Sequence, residues 1–188
     1  MIQYTLPETV IVDGQEFDIR SDYRPILDIC VAMQDLDLTD ADKAYVALKI
    51  FYKTEIPFTE EALNQVFWFI NCGRSEGEPA KKAVKLFDWE QDFQLIIPAI
   101  NRLIGCDVRG IPHLHWWTFM GYFQEIGESL FSRVVAIRSK RSKGKKLDDI
   151  DKEFYRDNKE LVDFKRKKYT PSALLQQLVM QGGENNGI

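Results

Sequence analysis

The stretch from Leu114 to Arg141, LHWWTFMGYFQEIGESLFSRVVAIRSKR, constrains the fold more than any other. Apolar or small residues recur at Trp116, Met120, Phe123, Gly127, Leu130, Val134 and Ile137, in steps that alternate four and three. This spacing predicts one long helix that carries them all on a single stripe. Phe119, Ile126 and Phe131 widen the stripe on its flanks. A stripe this aromatic must be buried, inside the chain or against a partner. Gly127 is expected to let a neighbouring helix approach closely. Trp117 lies about 100° from Trp116 around a helix, so the two cannot share the centre of one stripe. Trp117 is therefore the better candidate for a groove or a self-association surface. The stretch runs into a block of Lys and Arg, and a sticky helix with a charged end suggests an interaction protein.

The elements on either side are short and mostly helical. Thr9-Val10-Ile11-Val12 and Glu16-Phe17-Asp18-Ile19 flank Asp13-Gly14. An Asp-Gly between alternating runs predicts a type I′ hairpin over about 8–20, with Val10, Val12, Phe17 and Ile19 on one face. Two strands alone are marginal, so the ribbon should lie against helices or extend a partner's sheet. Helical patterns follow from Tyr23 to Gln34 and from Thr39 to Tyr52, the second opening on a near capping box. Thr59 should cap a third, ended by Gly73. Residues 73–82 read as an exposed linker. Asp88 should cap a helix carrying Trp89, Phe93, Ile96, Ile97, Ile100, Leu103 and Ile104, with a kink or restart at Pro98 and a stop at Gly105. Asp148 should start a late, exposed helix braced by Asp149–Lys152 and Arg156–Glu160. Thr170-Pro171 opens a short amphipathic segment, TPSALLQQLVM, and QGGENNGI after it is expected to be disordered. The fold class is mainly α, bundle-like, with an N-terminal β-hairpin. A single domain is expected over 1–166, with a C-terminal tail over 167–188.

The 188 residues and 45% apolar content suit one domain with a sizeable core. A net charge of −4 removes any whole-chain electrostatic case for nucleic acid or an acidic membrane. No apolar run reaches the roughly 18 residues needed to span a bilayer, and MIQYTLPETV has no signal-peptide pattern. The expectation is a soluble, intracellular protein. Cys30, Cys72 and Cys106 lack metal or redox spacing and sit among apolar neighbours, so buried free thiols are expected.

Catalytic signals are thin. His113 and His115 form an H-x-H pair, but at a helix start their side chains diverge and no third ligand has recognisable spacing. Helix entry or packing against Trp116 and Trp117 is preferred. No Gly-rich phosphate loop or dinucleotide fingerprint appears. No catalytic residue, cofactor or metal is expected. The basic block of Arg133, Arg138, Lys140, Arg141, Lys143, Lys145 and Lys146 is the strongest nucleic-acid signal, with Lys165-Arg166-Lys167-Lys168 a second. Aromatics are not interleaved with it as a stacking platform requires. Acids follow at once at Asp148, Asp149 and Asp151, which favours a salt-bridged turn between helices.

Certain stretches carry a resemblance. They are His115-Trp116-Trp117-Thr118-Phe119, Gly127-Glu128, Phe131 to Arg138, the basic run, and Glu153 to Lys159. The chain resembles the siphophage tail assembly chaperones encoded ahead of the tape measure gene in phages and prophages of Gram-positive bacteria. The likeness covers most of the chain and is strongest from His113 to Phe164. It implies a protein without an active site. Such a protein binds the very long helical tape measure protein and keeps it soluble in the host cytoplasm while the tail tube assembles. The resemblance implies that it is missing from the mature virion. The major tail protein and self-association are further expected contacts. Candidate partner-binding residues are Trp117, Tyr122, Arg138, Lys140, Arg141, Lys143, Lys145 and Lys146. A nucleic-acid-binding phage protein using the run 138–146 is the alternative.

Overall fold

A computed structural model describes residues 5–74 and 84–165. The linker from residue 75, the cations Arg166 to Lys168, the Thr170–Met180 segment and the QGGENNGI tail lie outside the described residues. The described chain is mainly helical with one N-terminal two-stranded hairpin, as the patterning predicts. It gathers into two compact units: 5–74 with 113–119, and 84–112 with 120–165.

The first unit opens with β1 (Thr9–Val12) and β2 (Gln15–Asp18), paired antiparallel with Val10 opposite Phe17. Asp13 and Gly14 have φ of 49° and 82°, the two left-handed residues that a type I′ turn needs. Val10 and Val12 point into the core, while Ile11 on the other face is exposed. After β2 the chain bridges Ile19 to Tyr52, and the Arg20 amide donates to the Phe51 carbonyl at 2.8 Å. The ribbon thus rests on helices of its own chain. Those helices are α1 (Tyr23–Met33), α2 (Asp40–Phe51) and α3 (Glu60–Ile70). Asp22, Thr39 and Thr59 cap them, and Thr39 with Asp42 completes a reciprocal capping box. Their facing sides bury Ile26, Ile29, Ile50, Phe51, Val66 and Phe69.

The second unit is built on α4 (Phe93–Ile104), a 3₁₀ turn at Val108–Gly110, α6 (Leu130–Ser142), α7 (Asp149–Asp157) and α8 (Lys159–Val162). Between the turn and α6 lies α5 (Trp116–Gln124), whose first residues belong to the first unit. Phe87, Trp89, Phe123 and Phe131 form an aromatic cluster with ring centroids 4.8–6.2 Å apart. Val134, Ile137 and Val162 form a second apolar nucleus, covered by Leu95, Phe154 and Tyr155.

Several local expectations are corrected. The stretch from Leu114 to Arg141 is two helices, broken over residues 125–129. Ser129 restarts the chain as an N-cap: its hydroxyl accepts from the Ser132 amide at 3.1 Å, and the Ser132 hydroxyl accepts from the Ser129 amide at 2.9 Å. Gly127 lies in the break, and a Cβ built on it would meet nothing within 4 Å. It is not a close-approach glycine. The helix expected to start at Asp88 starts at Phe93, because Asp88 caps a separate turn through the Glu90 and Gln91 amides. Helix α4 does not restart at Pro98. The carbonyl left without a donor there is that of Gln94, and both residues face solvent. Of the cysteines only Cys30 is buried; Cys72 is half-buried and Cys106 is exposed. Arg156 pairs with Glu153 and Asp157.

Candidate partner-binding site

The basic run of α6 divides by depth. Its first member, Arg138, is 5% exposed. Its Nη1 and Nη2 grip the Asp92 carboxylate at 2.5 and 3.0 Å, its Nε donates to the Val162 carbonyl at 2.7 Å, and its guanidinium also reaches the Leu161 and Leu86 carbonyls. These are as many bonds as the guanidinium has N–H donors. The Phe164 ring covers the guanidinium 4.2 Å away. A buried charge is tolerable only when paired and fully bonded, and this one is both. Arg138 therefore ties α4, α6 and α8 together from inside and does not face solvent with its neighbours.

Lys140 and Arg141 lie at the surface but have partners in their own unit. Lys140 bridges Asp148 at 3.4 Å and also Asp151. Arg141 pairs with Asp163 at 2.5 Å and lies 4.3 Å over the Tyr155 ring. The Asp151 bond raises the Lys140 ammonium above its ordinary pKa. Partial burial lifts the Asp163 carboxyl, but the bonds from Arg141 and Tyr155 outweigh it and leave it below the usual carboxylate range. This is the salt-bridged turn that the acids after the run predict. Lys143, Lys145 and Lys146 are exposed around the turn between α6 and α7. They are the cations of the run most accessible to a partner.

Trp117 and Tyr122 are both half-buried. Trp117 shares a task with Trp116. The Trp116 indole donates to the Ile70 carbonyl at 2.9 Å, and the Trp117 indole to the Phe69 carbonyl at 2.8 Å. A helix leaves its last four carbonyls without regular internal donors, and two adjacent indoles bond two of them at the end of α3, that of Phe69 also accepting the Cys72 amide at 3.0 Å. Gly73 admits this arrangement: with φ at 75°, a Cβ there would lie 2.8 Å from the Trp117 ring. Trp117 packs on Trp68 and Phe69 in the first unit. The candidate residues thus fall in different places, and only the three exposed lysines form a contiguous surface group.

Both histidines have local roles. His115 is buried, with Nε2 3.0 Å from the Pro7 carbonyl and Nδ1 accepting the Trp117 amide at 3.1 Å. That pair of contacts fixes a neutral ring protonated at Nε2. Burial lowers its pKa, against the smaller opposing pull of the Pro7 carbonyl. His113 is exposed and its Nε2 lies 3.2 Å from the Ser21 hydroxyl. The neighbouring Asp22 commits its carboxylate to Arg24 and to the Leu114 amide. Among the described residues no group of three or more His, Cys, Asp or Glu is arranged to hold a metal ion. No helix among them is long and apolar enough to cross a membrane.

Among the described residues each unit carries a surface cavity. In the first, about 310 Å³ lies beside the end of α2, lined by Tyr45, Lys49, Tyr52, Lys53, Glu55 and Phe58. Its charges are partly matched, with Lys49 and Glu55 2.8 Å apart. In the second, a groove of about 240 Å³ runs along α4 against the start of α6. Leu95, Pro98, Ala99 and Leu130 give it an apolar lining, and Gln94 and Arg102 edge it. Leu130 is 46% exposed there. Periodicity marked Leu130 as part of a buried stripe, and no residue type signalled the groove, which exists because the stripe breaks just before it.

Neither a curated protein nor a solved structure matches the chain. A sequence model of one phage family, described as Bacteriophage Gp15 protein, matches residues 2–164. Because that match takes in nearly all of the described residues, the chain belongs to the Bacteriophage Gp15 protein family.

Proposed function

We propose that this phage protein is a tail assembly chaperone that binds the tape measure protein and keeps it soluble, without catalysis. The observation that carries the reading is the match to a bacteriophage family over residues 2–164, together with the resemblance of His113 to Phe164 to the chaperones. The apolar groove along α4 supports it, because a helical client presents an apolar stripe that such grooves accept. The major tail protein is a second expected partner, and the host cytoplasm the expected place of action. The exposed Lys143, Lys145 and Lys146 would favour an acidic stretch of the client through long-range attraction.

The test is co-expression with the tape measure protein of the same gene cluster. A soluble client that co-purifies with this chain is expected. A client equally soluble with and without it, and no complex, would sink the reading.

A further inference from the structure

The turn between α1 and α2 presents an apolar side chain on a rigid base. Leu36 is 95% exposed, the most exposed large hydrophobic side chain among the described residues. The Asp35 amide donates to the Ala32 carbonyl at 3.2 Å, and Asp35 Oδ1 accepts the Asp37 amide at 2.8 Å, so the chain turns outward at Leu36. The Thr39–Asp42 capping box fixes the other side of the turn. Asp37 and Asp40, close by in the chain, are exposed. The first unit thus projects a leucine flanked by carboxylates, just before the first turn of α2.

The cavity at the far end of α2 is the chemical complement of that projection. Tyr45, Leu48, Tyr52 and Phe58 give it an apolar lining, and Phe58 is 61% exposed. Arg20, Lys49 and Lys53 line it too, and among its lining residues Glu55 is the one acid. Arg20 is held there by the Ile50 carbonyl, 2.9 Å from its Nη1. The Glu55 side chain is 90% exposed, so its bond to Lys49 is one that another carboxylate can replace. The 12 residues of α2 span about 18 Å, beyond the reach of a leucine side chain, so no chain fills its own cavity with Leu36. We propose that Leu36 of one copy of this chain enters the cavity of a second copy, with Asp37 and Asp40 facing Lys49 and Lys53. The occupant is a second copy because one chain carries both halves of the match, apolar to apolar and acid to cation. The two patches differ, so the contact is head-to-tail.

The test is sedimentation velocity on the full chain at rising concentration and two ionic strengths. The mass should rise with concentration, and less so at high salt. Leu36→Ser removes the projection, and Lys53→Glu reverses a cation of the cavity. Both positions are exposed, so the fold is kept, and circular dichroism checks this. Each variant alone should associate about tenfold more weakly, or worse. Mixed in equal amounts, the two should form a complex of two chains and grow no further. The first variant retains an intact cavity and the second an intact Leu36. The proposal is overturned if the unaltered chain stays monomeric at every concentration, or if either variant associates as strongly as the unaltered chain. It is equally overturned if the mixture associates no better than the variants do alone.

Discussion

Arg138 and Asp92 form a two-pronged ion pair at 2.5 and 3.0 Å with side chains only 4% and 1% exposed. The pair joins α6 to the start of α4, and the Asp88 amide adds a third bond to the same carboxylate at 2.9 Å. Asp92 sits at the N-cap position of α4 but makes no side-chain cap bond; its oxygens take the bonds from Arg138 and Asp88 instead. Removing one partner leaves a buried charge unmatched. Arg138→Met and Asp92→Asn should each lower stability by about 3–5 kcal/mol. The double variant Arg138→Met with Asp92→Leu should recover part of that loss. Urea unfolding midpoints decide the matter. Arg138→Lys should not rescue, since one ammonium cannot reproduce the fork or reach three carbonyls as well.

Gly73 and Gly14 both have left-handed backbone, with φ of 75° and 82°, but differ in what surrounds them. Gly14→Ala meets nothing within 4 Å and should lose only the conformational term, about 1–2 kcal/mol. Gly73→Ala should lose clearly more, because its Cβ would lie 2.8 Å from the Trp117 ring. Thermal unfolding of the two variants gives the ranking. Equal losses would mean that Trp117 shifts without penalty.

The folded chain holds His115 neutral, with its pKa below the ordinary value of about 6.5. As pH falls through that value, the unfolded chain takes up a proton that the folded chain refuses. This contribution to stability is therefore complete above about pH 6.5 and declines as pH drops towards the folded pKa. The urea midpoint should fall between pH 7.5 and 5.5, and by less in His115→Gln. An identical fall in both would assign the pH dependence to other groups.

The three exposed lysines should behave in the opposite way to Arg138. Replacing Lys143, Lys145 and Lys146 together with Gln should change stability by less than about 0.5 kcal/mol. If the tape measure protein is the client, the same variant should associate with it more slowly, and with a weaker dependence on salt. Association rates at two ionic strengths measure this. An unchanged rate and slope would remove these lysines from the client surface.

What could be read in the sequence is what is decided locally. The Asp13-Gly14 turn, the caps at Thr39, Thr59 and Asp148, and the stop at Gly105 each depend on residues within one turn of one another. The break at residues 125–129 was hidden because the four–three spacing continues through it, although Phe119 and Phe131 belong to different compact units. Periodicity reports the face of a residue and not the continuity of the helix beneath it. Ser129 and Ser132 carried the missing signal, but serine at the third position is a weaker mark than glutamate or glutamine. Arg138 looked like one cation of a surface run because its acid is 46 residues earlier in the chain. Cys106 looked buried from its neighbours, yet it follows the helix stop at Gly105 and faces solvent.

The two indoles that bind the end of α3 have a spectroscopic consequence. Their ring nitrogens lie 2.9 and 2.8 Å from consecutive carbonyls, so their N–H protons should exchange with solvent only when that helix end opens. Trp89 belongs to the aromatic cluster of the other unit. The indole N–H resonances of these tryptophans should therefore act as separate clocks, one pair timing the opening of the first unit and Trp89 that of the second.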